Sequence, residues 1–205
     1  MQEPNATPLH LSVADGRRKG RRVSPRRRLA RRLLGIAAQE TSFPRRDFHW
    51  DSEEVRARLE GVAGRFVEGY HAALEESRLD GLAARLEEVP PELAGFAYEG
   101  AGMALALLDT MTPWRGSRLD AFLRGPAARH VYIVHIGAGW ILARLPLSPE
   151  RLLARFDRVL GWLALDGYGF HEGFFRWPRS VARQEVPAKV RGYARRAFDQ
   201  GLGRS

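Results

Sequence analysis

Apolar residues recur at spacings of three and four through Val55, Leu59, Val62, Phe66, Tyr70 and Leu74, with charged residues between them. That stripe predicts a long amphipathic helix, and Asp51 or Ser52 stands where an N-cap belongs. A shorter helix is expected around Leu79 to Glu88, stopped by Pro90-Pro91, and Pro91 can then open a long helix that continues to about Met111. Gly125-Pro126 starts the next predicted helix, which runs to Leu145 before Pro146. Within it, Val131-Tyr132-Ile133-Val134 has the β-branched content of a strand, whereas the flanking alanines and the length between prolines favour a helix. Ser148-Pro149-Glu150 begins another, with Leu152, Leu153, Phe156, Val159, Leu160 and Leu163 on its buried face and Gly167 as its end. A short helix from Arg26 to Ile36 and a last one after Pro187, with Val190, Tyr193, Ala194, Ala197 and Phe198 on one side, complete the pattern. It predicts a mainly α fold with close-packed Gly/Ala-containing helices and, at most, a short β segment.

Composition sharpens this picture in three ways. The 205 residues are 44% hydrophobic, enough for one well-buried core. There is no cysteine, which removes disulfides, thiolate nucleophiles and Cys-ligated metals, and fits a cytoplasmic location. No apolar run approaches the roughly 20 residues of a membrane span, because Glu99, Asp109, His135 and Arg144 interrupt the best candidates. The formal charge of +9 belongs to the start of the chain: residues 17–32 hold ten basic side chains and no acidic one. Without them the remainder is close to neutral, so residues 1–25 read as a disordered basic leader and 26–205 as the helical domain. A nucleic-acid role rests on that leader alone and is the weakest reading.

Two apolar segments carry the same signature, Glu99-Gly100-Ala101-Gly102 and Ile136-Gly137-Ala138-Gly139. The echo continues, with Met103 matched by Trp140, Leu105 by Leu142, Ala106 by Ala143 and Leu108 by Leu145. Paired glycines weaken a helix relative to alanine, so their recurrence implies either close helix packing or a ligand lying against bare backbone. Neither copy is completed to GxGxxG. There is no Walker lysine, no GxSxG elbow and no DDxxD cluster, so no nucleotide or other cofactor is expected.

Polar residues within apolar surroundings supply the candidate chemistry. Glu99 is the one acid of the repeat; burial would raise its pKa toward that of a usable acid or base, although an ion pair with an arginine is the more frequent explanation of such a group. His130 and His135 lie five residues apart, about 140° around a helix, and do not form a chelating pair; no metal site is expected. Tyr132 and His135, three apart, share a face. The segment Asp166 to Phe175 packs three glycines, four aromatics and His171-Glu172 into ten residues and reads as a turn entering an aromatic wall. His171-Glu172 begins an HExxH pattern, but Phe175 stands in place of the second histidine.

The blocks RLARRLLGIAAQETSFPRRDF (28–48), GFAYEGAGMALALLDTMTPW (95–114), HVYIVHIGAGWILARLP (130–146) and LALDGYGFHEGFF (163–175) resemble the domain of unknown function 1702 family. That resemblance implies a bacterial protein of enediyne polyketide biosynthesis, and it implies a chain incomplete at its C-terminus; it brings no established catalytic residues. Three functions are then expected in turn. The first is an accessory protein that binds an apolar polyene-type intermediate against Phe96, Gly100, Gly102, Gly137, Gly139, Trp140, Tyr168 and Phe170. The second is a cofactor-independent cyclase, isomerase or hydratase using Glu99, Tyr132, His135, His171 and Glu172, which must then line one cavity. The third is a scaffold for neighbouring biosynthetic proteins.

Overall fold

The computed structural model describes residues 24–205, so the leader expected over residues 1–25 lies almost entirely outside the described residues. Among the described residues there are helices and turns and no strand, and no helix is long and apolar enough to cross a membrane. The fold is mainly α.

The chain enters through α1 (Pro25–Leu34), a 3-10 turn at Ala38–Thr41 and the short α2 (Phe43–Arg46). This arm is tied along α3 (Glu53–Glu75) by polar bonds. The Tyr70 hydroxyl donates to the Leu34 carbonyl (2.8 Å), the Ile36 N–H to His71 Nε2 (3.0 Å) and the Phe43 N–H to Glu60 Oε1 (2.8 Å). Ser52 caps α3, its hydroxyl accepting from the Val55 N–H. The apolar stripe divides in two. Phe66, Tyr70 and Leu74 are buried, whereas Val55 and Leu59 lie on the first turns of the helix, where they remain half exposed.

After α4 (Leu79–Leu86) the core is built from α5 (Pro91–Met111), α7 (Val131–Gly139) and α10 (Leu163–Trp177), with α11 (Tyr193–Arg204) packed on α10. Three shorter helices, α6 (Arg118–Arg124), α8 (Ile141–Arg144) and α9 (Pro149–Leu153), join them. Each long helix contacts the next long helix in the chain, and glycine makes every one of those contacts possible. A Cβ on Gly69 would stand 1.9 Å from the Ala97 carbonyl oxygen, and one on Gly100 1.9 Å from that of Phe66. The same exchange recurs between α5 and α7, where Gly102 meets the Val134 carbonyl and Gly137 that of Glu99. Gly139 with Ala164 and Gly167 with Ile136 repeat it between α7 and α10, and Gly169 with Phe198 and Gly201 with Asp166 between α10 and α11. In each pair a glycine faces the carbonyl three residues before the partner's glycine, so the paired helices run in opposite senses at the contact.

Helix geometry explains the spacing. Residues i and i+2 are about 200° apart around an α-helix, on nearly opposite sides. Gly100 therefore serves α3 and Gly102 serves α7; Gly137 serves α5 and Gly139 serves α10; Gly167 serves α7 and Gly169 serves α11. Backbones this close gain dispersion and Cα–H···O contacts of about 0.5–1 kcal/mol each, which offset the poor helix propensity of glycine.

Three expectations are corrected. The helix expected from Gly125 begins only at Val131, after a 3-10 turn at Ala128–His130, and Val131 to Val134 is helical. The helix at Ser148 is short, ending at Leu153, and Val159 is solvent-exposed. Gly167 does not end a helix: Asp166 to Phe175 is the interior of α10, because its glycines are the places where α7 and α11 approach.

Candidate functional site

A cavity of about 480 Å³ lies between the entering arm and the glycine-packed helices. The arm contributes Ile36, Phe43 and Phe48, α3 contributes Leu59, Val62, Ala63, Phe66 and Val67, and the core contributes Phe96, Glu99, Trp140, Phe170, Phe174 and Phe175. Its aromatic rings form a connected series. Phe66 stacks on Trp140 (4.3 Å between centroids), Trp140 on Phe170 (5.9 Å) and Phe170 on Phe174 (6.0 Å). Phe174 meets Phe48 edge-on (5.3 Å), and Phe48 meets Phe43 (5.5 Å). Two guanidinium groups lie on these rings: that of Arg46 is 4.4 Å over Phe175, and that of Arg204, which lines the cavity, is 5.0 Å over Phe170.

Glu99 is the acid of this cavity's buried side. It is 8% exposed, and among the described residues its carboxyl group has no hydrogen bond and no ion pair. Gly137 makes room for it, since a Cβ there would lie 2.9 Å from Glu99 Cγ. Burial pushes the Glu99 pKa up to about 8; the charge of Arg204 works against that rise and the charge of Asp166 adds to it. Arg204 is itself engaged by Asp166 in a direct ion pair. At neutral pH Glu99 is therefore a protonated acid, a hydrogen-bond donor inside an apolar space.

Of the five residues expected to carry proton transfer, Glu99 alone lines this cavity. Tyr132 points outward, 56% exposed. His135 is buried, with Nδ1–H donating to the Val131 carbonyl (2.7 Å) and its ring edge-on to Phe156, beside a different cavity of about 300 Å³. His171 and Glu172 lie behind the aromatic wall, where the His171 ring packs on Trp140 (5.3 Å) and Phe175 (4.6 Å). Burial lowers the His171 pKa, against the opposing pull of Glu172. Burial opposes ionisation of Glu172 as well, but contact with His171 (3.6 Å) and Arg176 (3.4 Å) outweighs it and holds the carboxyl below its ordinary value. These five groups do not converge on one substrate position. Among the described residues no group of histidines and acids could hold a metal ion.

The expected ligand contacts divide in the same way. Phe96, Trp140 and Phe170 line the cavity. Gly100, Gly102, Gly137 and Gly139 face helix carbonyls rather than open space, and Tyr168 is buried against Phe198 (5.3 Å). Phe43, Phe48 and Arg204 escaped the sequence reading because they come from segments remote in the chain. A signal for the glycines of α10 was present, since Asp166-Gly167-Tyr168-Gly169 repeats the Gly-x-Gly spacing, whereas in Gln200-Gly201-Leu202-Gly203 only Gly201 meets a helix carbonyl.

Comparison with known proteins gives one result of substance, as no curated protein and no solved structure matches the chain. The family model described as a protein of unknown function (DUF1702) matches residues 26–205, and the chain belongs to that family.

Proposed function

We propose that this protein is an accessory protein of enediyne-type polyketide biosynthesis in the bacterial cytoplasm, and that it holds an apolar polyene-type intermediate in the aromatic cavity. The observation that supports this reading is the wall of stacked rings from Phe66 through Trp140, Phe170 and Phe174 to Phe48 and Phe43. Flat conjugated chains offer π-faces that match such a wall, and a cavity of about 480 Å³ accommodates an elongated molecule of drug-like size. A protonated Glu99 would give that ligand one hydrogen-bond donor, suited to a carbonyl or hydroxyl oxygen.

The test is fluorescence titration with cis-parinaric acid, a conjugated tetraene whose emission rises in apolar surroundings. Saturable binding is expected, together with its loss in Ala63→Phe, a substitution that fills the cavity from α3. Equal binding by Ala63→Phe and the parent protein would overturn the reading.

A second reading, an isomerase or cyclase acting on the same ligand, draws on Glu99 alone. A carboxyl group with a pKa near 8 is a competent proton donor at neutral pH. It requires that Glu99→Gln retain ligand binding while product formation from the polyene is abolished.

A further inference from the structure

At the C-terminal end of α3 three arginines gather around a different cavity. Arg27 of α1 reaches the helix end, where Nη1 donates to the carbonyls of Ala73 (3.4 Å), Leu74 (3.2 Å) and Glu76. Its Nε and Nη2 donors have no partner among the described residues, and a guanidinium offers five donors in a fixed fork. Arg118, on the first turn of α6, is held by Asp109 Oδ1 (2.9 Å) and by the Thr112 hydroxyl, 3.1 Å from both terminal nitrogens. Arg115 stands on the exposed 3-10 turn Pro113–Arg115, where its backbone N–H donates to the Thr112 carbonyl (3.0 Å) and its guanidinium has no hydrogen bond or ion pair among the described residues.

These charges act on one another. Burial lowers the Arg27 pKa, and the positive charges of Arg118 and Arg115 lower it further against the opposing pull of Glu76. All three arginines line a cavity of about 290 Å³, together with Arg78 and Glu76. Arg78 is paired with Asp80 (3.1 Å), and Glu76, the lining carboxylate, lies 3.9 Å from Arg85. Like charges held together around a partly buried space leave a positive potential that an oxyanion relieves, and planar guanidinium forks match the oxygens of phosphate. The floor is apolar, formed by Leu79, Leu82 and Leu105, and the space exceeds what an inorganic anion needs.

We propose that this cavity binds a phosphate monoester, its phosphate against Arg27, Arg115 and Arg118 and its organic group on the leucine floor. The site shares no lining residue with the aromatic cavity and stands independently of the function proposed there.

Calorimetric titration with phenyl phosphate, inorganic phosphate, sulfate and benzoate at one ionic strength tests it. Phenyl phosphate is expected to bind, inorganic phosphate at least about fivefold more weakly, and benzoate not at all, because charge-assisted bonds and apolar contact must both be present. Arg115→Gln, a change at an exposed position, should weaken phenyl phosphate about tenfold while leaving cis-parinaric acid titration unchanged. Equal affinity in Arg115→Gln and the parent protein would overturn the proposal, as would displacement of phenyl phosphate by equimolar sulfate. Inorganic phosphate binding as tightly as phenyl phosphate would assign the site to the free anion and remove the organic group from it.

Discussion

The two sides of the aromatic cavity are built on opposite principles. On one side α5, α7 and α10 meet backbone to backbone, with glycines facing carbonyls at separations no side chain could survive. On the other, the arm of α1 and α2 and the first half of α3 meet the cavity through rings and long side chains. That half of α3 carries Gly61 and Gly64, neither of which has a neighbour within 4 Å of a Cβ position. Close-packed backbone has few alternative arrangements, whereas half-buried rings can rotate and re-pack at small cost. A ligand entering this cavity therefore meets one fixed wall, which sets Glu99, and one adaptable wall, which accommodates shape.

Substitutions can break or sharpen this contrast. The largest effect is expected on the fixed wall: Gly167→Ala, which drives a methyl group into the Ile136 carbonyl, should cost about 3 kcal/mol, read as a fall in the urea midpoint with unchanged slope. Gly100→Ala and Gly137→Ala should behave alike. Next comes Glu99→Gln. Folding raises the Glu99 pKa to about 8 from an ordinary 4.5, so the folded state holds a proton that the unfolded chain releases. Stability from this group is complete below pH 4.5 and is lost as pH rises toward 8. The parent protein should thus melt at a lower temperature at pH 8 than at pH 5, while Glu99→Gln should flatten that dependence and be more stable than the parent at pH 8.

On the adaptable wall, Phe43→Ala should cost only about 1 kcal/mol of stability, the scale of one aromatic pair, yet weaken cis-parinaric acid about tenfold. Smallest of all, Gly61→Ala should leave urea stability unchanged or raise it by about 0.5–1 kcal/mol, since alanine is the better helix former and nothing obstructs it. If Gly61→Ala and Gly167→Ala proved equally harmful, the distinction between the two walls would fail.

Much of this contrast could be read from the chain, but unevenly. The limits of α5 were legible because Pro90-Pro91 and the apolar run that follows act locally. The glycine pair in that helix was legible too, though its purpose was not: a helix carbonyl and a ligand make the same demand on a glycine, and only the folded arrangement shows which one is there. In α10 the local signal misled. Three glycines in ten residues ordinarily mark a turn, yet tertiary contact with α7 and α11 overrides that propensity. Glu99 was found because an acid in an apolar run is visible in one dimension. Phe43 and Phe48 were not, since their nearness to Phe174 depends on how the arm folds back along α3.

The two-residue spacing of the glycines also acts as an address. Inserting one residue between Gly137 and Gly139 would turn the second glycine a further 100° around the axis, to within about 60° of the first. Both would then face α5, and α10 would confront a side chain where it had met bare backbone. A single inserted codon at that point would delete nothing and add no charge, and it would still misdirect every helix that follows.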